Sequence, residues 1–333
     1  MSIVGKYARA FRLLRYVVDV LQAKVWNVRK PLIVSWILTS RCNFSCPYCH
    51  SVGDLSKELS TAQVFNFVRE LARLGTRRIS FTGGEPLMRD DLGEIVDYCV
   101  ENGMVVTLNS NGSMVSSRIR DIRRISLLTL SLDGPEDVHD AIRGKGAFAG
   151  LMDAIACARQ ERVRVYFATT LSSPNLSYLG AIFEISRMFG IKVFFQPAEH
   201  FQLRDGRPNP IAPARDEYAK AMVIIMEEKK RNPLVGNSWA GLKHLFYWPR
   251  AHPLLKCYGG LLSVRIDANG DIKICGRPKG DSVLGNVLTG DFERIFMTAD
   301  LPVCRFCWCS SRIEFNKAMA LDIDAVSNIF MAA

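Results

Sequence analysis

Residues 32–50 read LIVSWILTSRCNFSCPYCH. The first seven form a short apolar run, the mark of a strand buried on both faces. Three cysteines follow at once: Cys42, Cys46 and Cys49, spaced C-x3-C-x2-C. Thiolates this close together take a soft metal, either zinc or iron–sulfur. A structural zinc site wants four closed ligands, often as two C-x2-C pairs. His50 adjoins Cys49, and the C-x3-C half does not fit a zinc knuckle. A four-iron cluster normally takes four cysteines, so three would leave one iron open to a non-protein ligand.

Working outward, the strand is the first of several. Residues 60–74 carry a helical pattern, with Ser60 as N-cap and Gly75 as stop. Residues 78–82 are strand-like and run into Gly83-Gly84-Glu85-Pro86. A helix over 91–102 ends at Gly103, and strands follow at 104–108 and 127–132. Then come a helix (148–160), a strand (163–171), a helix ending at Gly190 (176–189) and a sixth strand (191–195). This alternation predicts an α/β fold, a partial (β/α)6 TIM-like barrel with a parallel sheet. In such folds chemistry gathers at the C-terminal ends of the strands. The cysteines, GGEP, NSNG (109–112) and SLDGP (131–135) all fall there.

From about residue 197 the rhythm changes. Pro208, Pro210 and Pro213 mark a linker, and a helix over 216–231 is cut by Pro233. Trp239, Phe246, Tyr247 and Trp248 form an aromatic patch. Residues 263–275, SVRIDANGDIKIC, read as a hairpin turning at Asn269-Gly270. The expected organisation is an N-terminal amphipathic helix (1–30), a barrel (31–200), linker and helices (201–250) and a small cysteine-rich domain (251–333).

The totals narrow the class. The 333 residues are 48% apolar, enough for a large core, and no apolar run reaches the length of a membrane span. No secretory signal pattern is evident, so ten cysteines point to reduced thiols in the cytoplasm. The net charge is +10, from 43 basic and 33 acidic residues. No run of interleaved basic and aromatic residues suggests a nucleic-acid platform. Near the start, Val4, Tyr7, Phe11, Leu14, Val18, Leu21 and Val25 recur every three or four residues, on one stripe of a helix. One expectation is that this stripe docks on the main domain. The others are a helix lying on an anionic membrane through residues 1–28, and a helix that meets a partner helix.

The cysteine spacing, GGEP and SLDGPEDVHDAIRG together resemble the radical S-adenosylmethionine enzymes. That resemblance implies a [4Fe–4S] cluster on Cys42, Cys46 and Cys49, with S-adenosylmethionine chelating the open iron. One electron would then yield a 5′-deoxyadenosyl radical that abstracts hydrogen from substrate, with flavodoxin or ferredoxin as reductant. It further implies cofactor contacts at Tyr48 (adenine), Gly83, Gly84, Glu85 and Pro86 (methionine amine), and Ser131 and Arg143 (ribose and carboxylate). Asp133 and Asn109 are further candidates. His139 reads as a capping or loop-bracing residue before a catalytic one, and Asn111, like Asn109, as a ribose or substrate contact or a turn residue. Cys257, Cys275, Cys304, Cys307 and Cys309 resemble a SPASM or twitch auxiliary domain. Five cysteines suffice for one auxiliary [4Fe–4S] cluster, on Cys257, Cys275, Cys304 and Cys307, with Cys309 spare or substituting. Sulfatase-maturing members carry an Asp base after the hairpin's last cysteine; here Gly276 stands there. The expected substrate is a small molecule, apolar or lipid-linked, or alternatively a peptide. A zinc-bound, non-catalytic nucleic-acid-binding protein is the reading from another class.

Overall fold

A computed structural model describes residues 17–26, 28–49, 58–200, 208–250, 256–276, 283–300 and 307–326. Helix α1 (17–26) leads into β1 (Ile33–Thr39), then α2 (Thr61–Arg73), β2 (Arg78–Gly83), α3 (Leu92–Glu101), β3 (Val105–Ser110) and the short α4 (Val115–Arg118). Next come β4 (Leu127–Ser131), α5 (Glu136–Arg143), α6 (Ala147–Gln160), β5 (Val165–Leu171), α7 (Leu179–Phe189) and β6 (Val193–Pro197). Helices α8 (Arg215–Arg231) and α9 (Trp239–Leu245) precede strands β7 (Ser263–Ile266), β8 (Asp271–Lys273) and β9 (Gly285–Asn286). Helices α10 (Phe292–Thr298) and α11 (Ser310–Met319) follow, and a helical turn at 323–326 ends the described chain.

The fold is mixed α/β. The described strands form one nine-stranded sheet in the order β6-β5-β4-β3-β2-β1-β7-β8-β9. Strands β1 to β7 are mutually parallel; β8 runs against β7, and β9 runs against β8 and so returns to the common direction. Local chemistry sets the boundaries. Ser60 caps α2 in a reciprocal box with Gln63. Gly75, Gly103 and Gly190 end their helices with φ of +85°, +79° and +64°, a conformation that glycine adopts without strain. The helix foreseen from residue 176 begins at Leu179, after a 3-10 turn over Ser173–Tyr178.

Alternate residues of each strand serve two faces. Val34, Trp36, Leu38, Ile79, Phe81, Val106 and Leu108 pack against Val64, Phe67, Val68 and Leu71 of α2 in the main core. The other face is largely hydroxylic. Ser35, Ser80 and Thr107 lie level across β1, β2 and β3, and Asn109 and Thr129 pair across β3 and β4.

Two features depart from expectation. The 263–275 hairpin does not stand apart: β7 pairs with β1, Ile33 against Ser263 and Ser35 against Arg265. Also, the apolar stripe of α1 does not dock. Val18, Leu21 and Val25 are exposed, while Asp19, Val20 and Ala23 are buried, against Leu32, Tyr258, Leu262 and Phe315 for the apolar pair. The docked face holds a charge because Lys30 and Arg77 neutralise Asp19 at 2.5 and 3.2 Å. The earlier part of the stripe (Val4 to Leu14) lies outside the described residues. The aromatic patch also divides. Trp248 is core, packed on Tyr218, whereas Phe246 and Tyr247 are exposed.

Candidate active site at the strand ends

Cys42, Cys46 and Cys49 follow the C-terminal end of β1 as free, half-buried thiols. Two arginines hold the ends of this stretch of chain. Arg89 donates to the carbonyls of Leu38 (3.2 Å) and Leu59 (3.1 Å) and pairs with Asp91. Arg41 donates to both oxygens of Glu58, at 3.1 and 3.2 Å. The sequence offered no signal for these clamps, since Arg41, Glu58 and Arg89 look like ordinary surface charges until the fold brings them together.

The end of β2 presses on the same segment. Gly84 N donates to Thr39 O at 2.9 Å, and Glu85 N to Arg41 O at 2.7 Å. A Cβ on Gly83 would stand 2.3 Å from Thr39 O, and one on Gly84 2.0 Å from Arg41 O. The two glycines are therefore required by close backbone approach. The Glu85 carboxylate turns inward and is fully buried. It accepts from Leu87 N (3.2 Å), Ser110 Oγ (2.9 Å) and Asn111 N (2.8 Å). Burial pushes its pKa up to about 6 against these hydrogen bonds. Glu85 thus ties β2 to β3. Three donors from the chain orient the carboxylate, two on Oε1 and one on Oε2. Asn111 continues the tie, with Nδ2 donating to Asn43 Oδ1 at 2.9 Å.

A second network joins the cysteine segment to β4 and α5. Tyr48 OH donates to Asp133 Oδ2 at 2.7 Å, and Arg143 Nε donates to the same oxygen at 2.8 Å. Arg143 also donates to the Tyr48 hydroxyl, and Thr170 N donates to Asp133 Oδ1 at 3.0 Å. Burial works against the Arg143 cation, but the charges of Asp133, Tyr48 and Cys46 and the Asp133 hydrogen bond together outweigh it and hold its pKa above the usual value. Burial raises Cys46 to about 11, partly offset by Arg143. His139 braces the turn, its Nδ1 accepting from Asp133 N at 3.1 Å, and burial lowers it to about 4, so it is neutral. Ser131 Oγ reaches Ser110 O at 3.5 Å. Asn109 is exposed on the hydroxylic face. Pro86 is buried and opens a 3-10 turn.

The second cysteine group lies at the other end of β1. Arg265 pairs with Lys273, so continuing that register brings Cys275 level with Ser263, which pairs with Ile33. Cys257, Cys275, Cys307 and Cys309 are free thiols, and Cys304 lies outside the described residues. Burial pushes Cys307 well up, and Cys309, Cys275 and Cys257 add to the effect through their charge. Arg312 stands in the field of all four thiols and donates to Ser263 Oγ. At Gly276 a Cβ would fall 1.7 Å from Arg265 Nη1. A guanidinium therefore fills the space that a side chain at 276 would need.

The donor sets suit clusters better than single ions. Among the described residues, no three His, Cys, Asp or Glu side chains converge to hold one metal ion. A cluster instead gives each cysteine its own iron, so its ligands stand apart. Three soft donors thus follow the first strand of a largely parallel sheet, with two glycines at the end of the second strand pressed against the same segment. Residues 36–184 match the sequence profile of the Radical SAM superfamily. The matched segment, a little under half of the chain, is similar to a domain of that superfamily.

Fe-coproporphyrin III synthase of Methanosarcina barkeri is 32% identical over 165 residues, 47% of this chain and 41% of that protein. An AdoMet-dependent heme synthase of the same organism is 32% identical over 168 residues, 48% of each. This chain thus spans less than half the length of these relatives. Mycofactocin maturase MftC of Mycobacterium ulcerans is 27% identical over 289 residues, 81% of this chain and 76% of that protein. Among solved structures, Streptococcus suis SuiB superposes with a TM-score of 0.66 at 13% identity, over 86% of this chain and 71% of that one. AdoMet-bound anSMEcpe gives 0.65 at 17% identity, over 81% of each chain. These two likenesses establish the fold.

Proposed function

We propose that this chain is a hydrogen-abstracting radical S-adenosylmethionine enzyme whose Cys42, Cys46 and Cys49 hold a [4Fe–4S] cluster. The observation that carries this reading is the set of three thiols gripped from β2 by backbone contacts that only glycines at 83 and 84 permit. When bound, the cluster and S-adenosylmethionine supply an electron and a carbon-centred radical able to take hydrogen. The chain's own residues bind and orient. Gly83 and Gly84 fix the segment that bears Cys42. Arg143, held by Asp133 and Tyr48, keeps a cation beside Cys46, where it favours the thiolate that metal ligation requires. Tyr48 lines the adenine, and Asn109 and Ser131 offer polar contacts on the open face.

Cys257, Cys275, Cys307 and either Cys304 or Cys309 hold one auxiliary [4Fe–4S] cluster in a twitch-like arrangement. The mutual field of four described thiols around Arg312 supports this. A reducing cytoplasm and a flavodoxin- or ferredoxin-type reductant suit such centres. For the substrate, the hydroxylic face of the sheet favours a polar molecule over an apolar one. A peptide is the better choice, because the alignment with a maturase runs through 81% of this chain whereas those with the heme-forming enzymes cover about half. Iron and sulfide quantification on anaerobically purified protein tests the reading, combined with a 5′-deoxyadenosine assay using dithionite. Iron for two clusters with cofactor cleavage is the expected result. A colourless zinc protein, or an iron-loaded one that forms no 5′-deoxyadenosine, would overturn it.

A further inference from the structure

Helix α1 has two unlike faces, and the outward one is the more apolar. Val18 and Leu21 are each 43% exposed, and Val25 and Trp26 each 68%. Positions 18, 21 and 25 share one stripe, with 26 beside it. Val28, just beyond the helix, is 46% exposed. Such a row on a folded domain marks a surface that something else covers. The charges say what. Residues 1–30 contain seven Lys and Arg against a single acid, Asp19. Arg29 and Lys30 turn inward, to Phe296 O, Ala299 O and Asp19, which leaves Lys24 as the cation at the rim among the described residues. Asp19 is turned inward and neutralised by Lys30 and Arg77. No carboxylate of this segment therefore faces outward among the described residues. Lys24 lies beside Lys256, whose ammonium stands 5.4 Å from the Tyr258 ring, so the rim of the stripe is basic. A second copy is poorly suited to cover this face. A two-fold contact sets each patch against itself and would oppose basic rims.

We infer that α1 is an interfacial helix that docks this enzyme on an anionic lipid leaflet, with Val18, Leu21, Val25 and Trp26 entering the headgroup boundary. Apolar burial and basic attraction act together at such a surface, and tryptophan is well placed there. The buried face of Val20 and Ala23 fixes the helix to the domain, so the contact orients the enzyme as well as tethering it. The inference does not rest on the radical chemistry.

Vesicle flotation of the full chain tests it. Binding to phosphatidylglycerol-containing vesicles is expected, with much less to pure phosphatidylcholine and a decline as salt rises. The double variant Val25→Asp, Trp26→Asp should lower the partition coefficient on the order of tenfold or more, since each side chain loses its apolar transfer. Its thermal unfolding and 5′-deoxyadenosine formation should match wild type, because both residues are exposed. Absent or equal flotation with the two vesicle types would overturn the inference. So would a dimer in light scattering that the double variant dissolves, since a second copy would then own this face.

Discussion

Gly84→Ala is the sharpest perturbation of the cysteine segment. Its Cβ would stand 2.0 Å from Arg41 O, 2.5 Å from Arg41 C and 2.9 Å from Ser40 O. All three are backbone atoms, so no side-chain rotation relieves the clash. Ordinary contact begins at 3.4 Å, so Arg41 must retreat about 1.4 Å (3.4 minus 2.0). That retreat breaks the Glu85 N to Arg41 O hydrogen bond, now 2.7 Å. Overpacking costs about 1–3 kcal/mol, and a buried polar group left unpaired costs about 1–3 kcal/mol more. Together, on the order of 2–6 kcal/mol falls on a segment whose next residue is Cys42. Iron retained after anaerobic reconstitution should therefore fall by about half, to the share of the auxiliary cluster, while the rate of 5′-deoxyadenosine formation should drop by more than tenfold. Gly103→Ala is the control. Its Cβ meets nothing within 4 Å, but φ is +79°, so it strains the fold far from the cysteines. It should lower the melting temperature and leave iron content intact. If Gly84→Ala loaded iron and cleaved the cofactor like wild type, the idea that β2 grips the cysteine segment would be wrong.

Cys46→Ala should abolish 5′-deoxyadenosine formation outright, while Cys275→Ala should lower the iron content and leave some uncoupled cleavage. Equal iron in Cys275→Ala and wild type would remove Cys275 from the ligands. Asp133→Asn should destabilise by about 3–5 kcal/mol in urea titrations, because it leaves the buried Arg143 guanidinium without its counter-charge; a loss below 1 kcal/mol would mean the pair is idle. Glu85 gives a pH test. Burial raises its pKa from the usual 4.5 to about 6, so the folded state holds the proton more tightly than the unfolded one. The resulting stabilisation is fully present below pH 4.5 and is lost as pH rises through about 6. Its size is about 2 kcal/mol, from 1.5 units at 1.36 kcal/mol each. Unfolding midpoints of wild type relative to Glu85→Gln should fall across that window, and a flat difference would contradict it.

Much of the barrel was legible because its signals are local. Apolar runs gave the strands, and Ser60, Gly75, Gly103 and Gly190 gave helix ends by their own backbone chemistry. What escaped depends on distant partners. The pairing of Ile33 with Ser263 joins segments 230 residues apart, and no hairpin pattern announces that a third strand lies beside it. Helix α5 was hidden inside a stretch read for its Asp133 and Arg143, because its eight residues offer only Val138 and Ile142 as large apolar markers, one turn apart and too few to declare a helix. The α1 stripe was seen, but a period identifies a face without saying which face is buried. Burial chose the one holding Asp19, since ions from residues 30 and 77 could neutralise it. The Arg41–Glu58 pair and the hold of Arg89 on the Leu38 and Leu59 carbonyls escaped because their partners are distant in sequence.

The shared sheet constrains the proposed chemistry further. The Cys42 segment follows Thr39 at one end of β1, and Cys275 comes level with Ile33 at the other. Six residues of strand separate those levels, about 20 Å at 3.3 Å per residue. The hydroxylic face, with Ser35 between them, spans that gap. A compact metabolite placed for hydrogen abstraction near Cys42–Cys49 would leave the far end of the sheet untouched. An extended peptide of about six residues covers the same 20 Å. It would meet hydroxyls and Asn109 along its backbone and bring its distal part to Arg265, whose guanidinium lies over Gly276. There Arg265 pairs with Asp267 at 2.7 Å and keeps Nη1 over Gly276, a donor where an Asp base would have been an acceptor. The geometry that sets the two cysteine groups apart thus favours a substrate long enough to need both ends of the sheet.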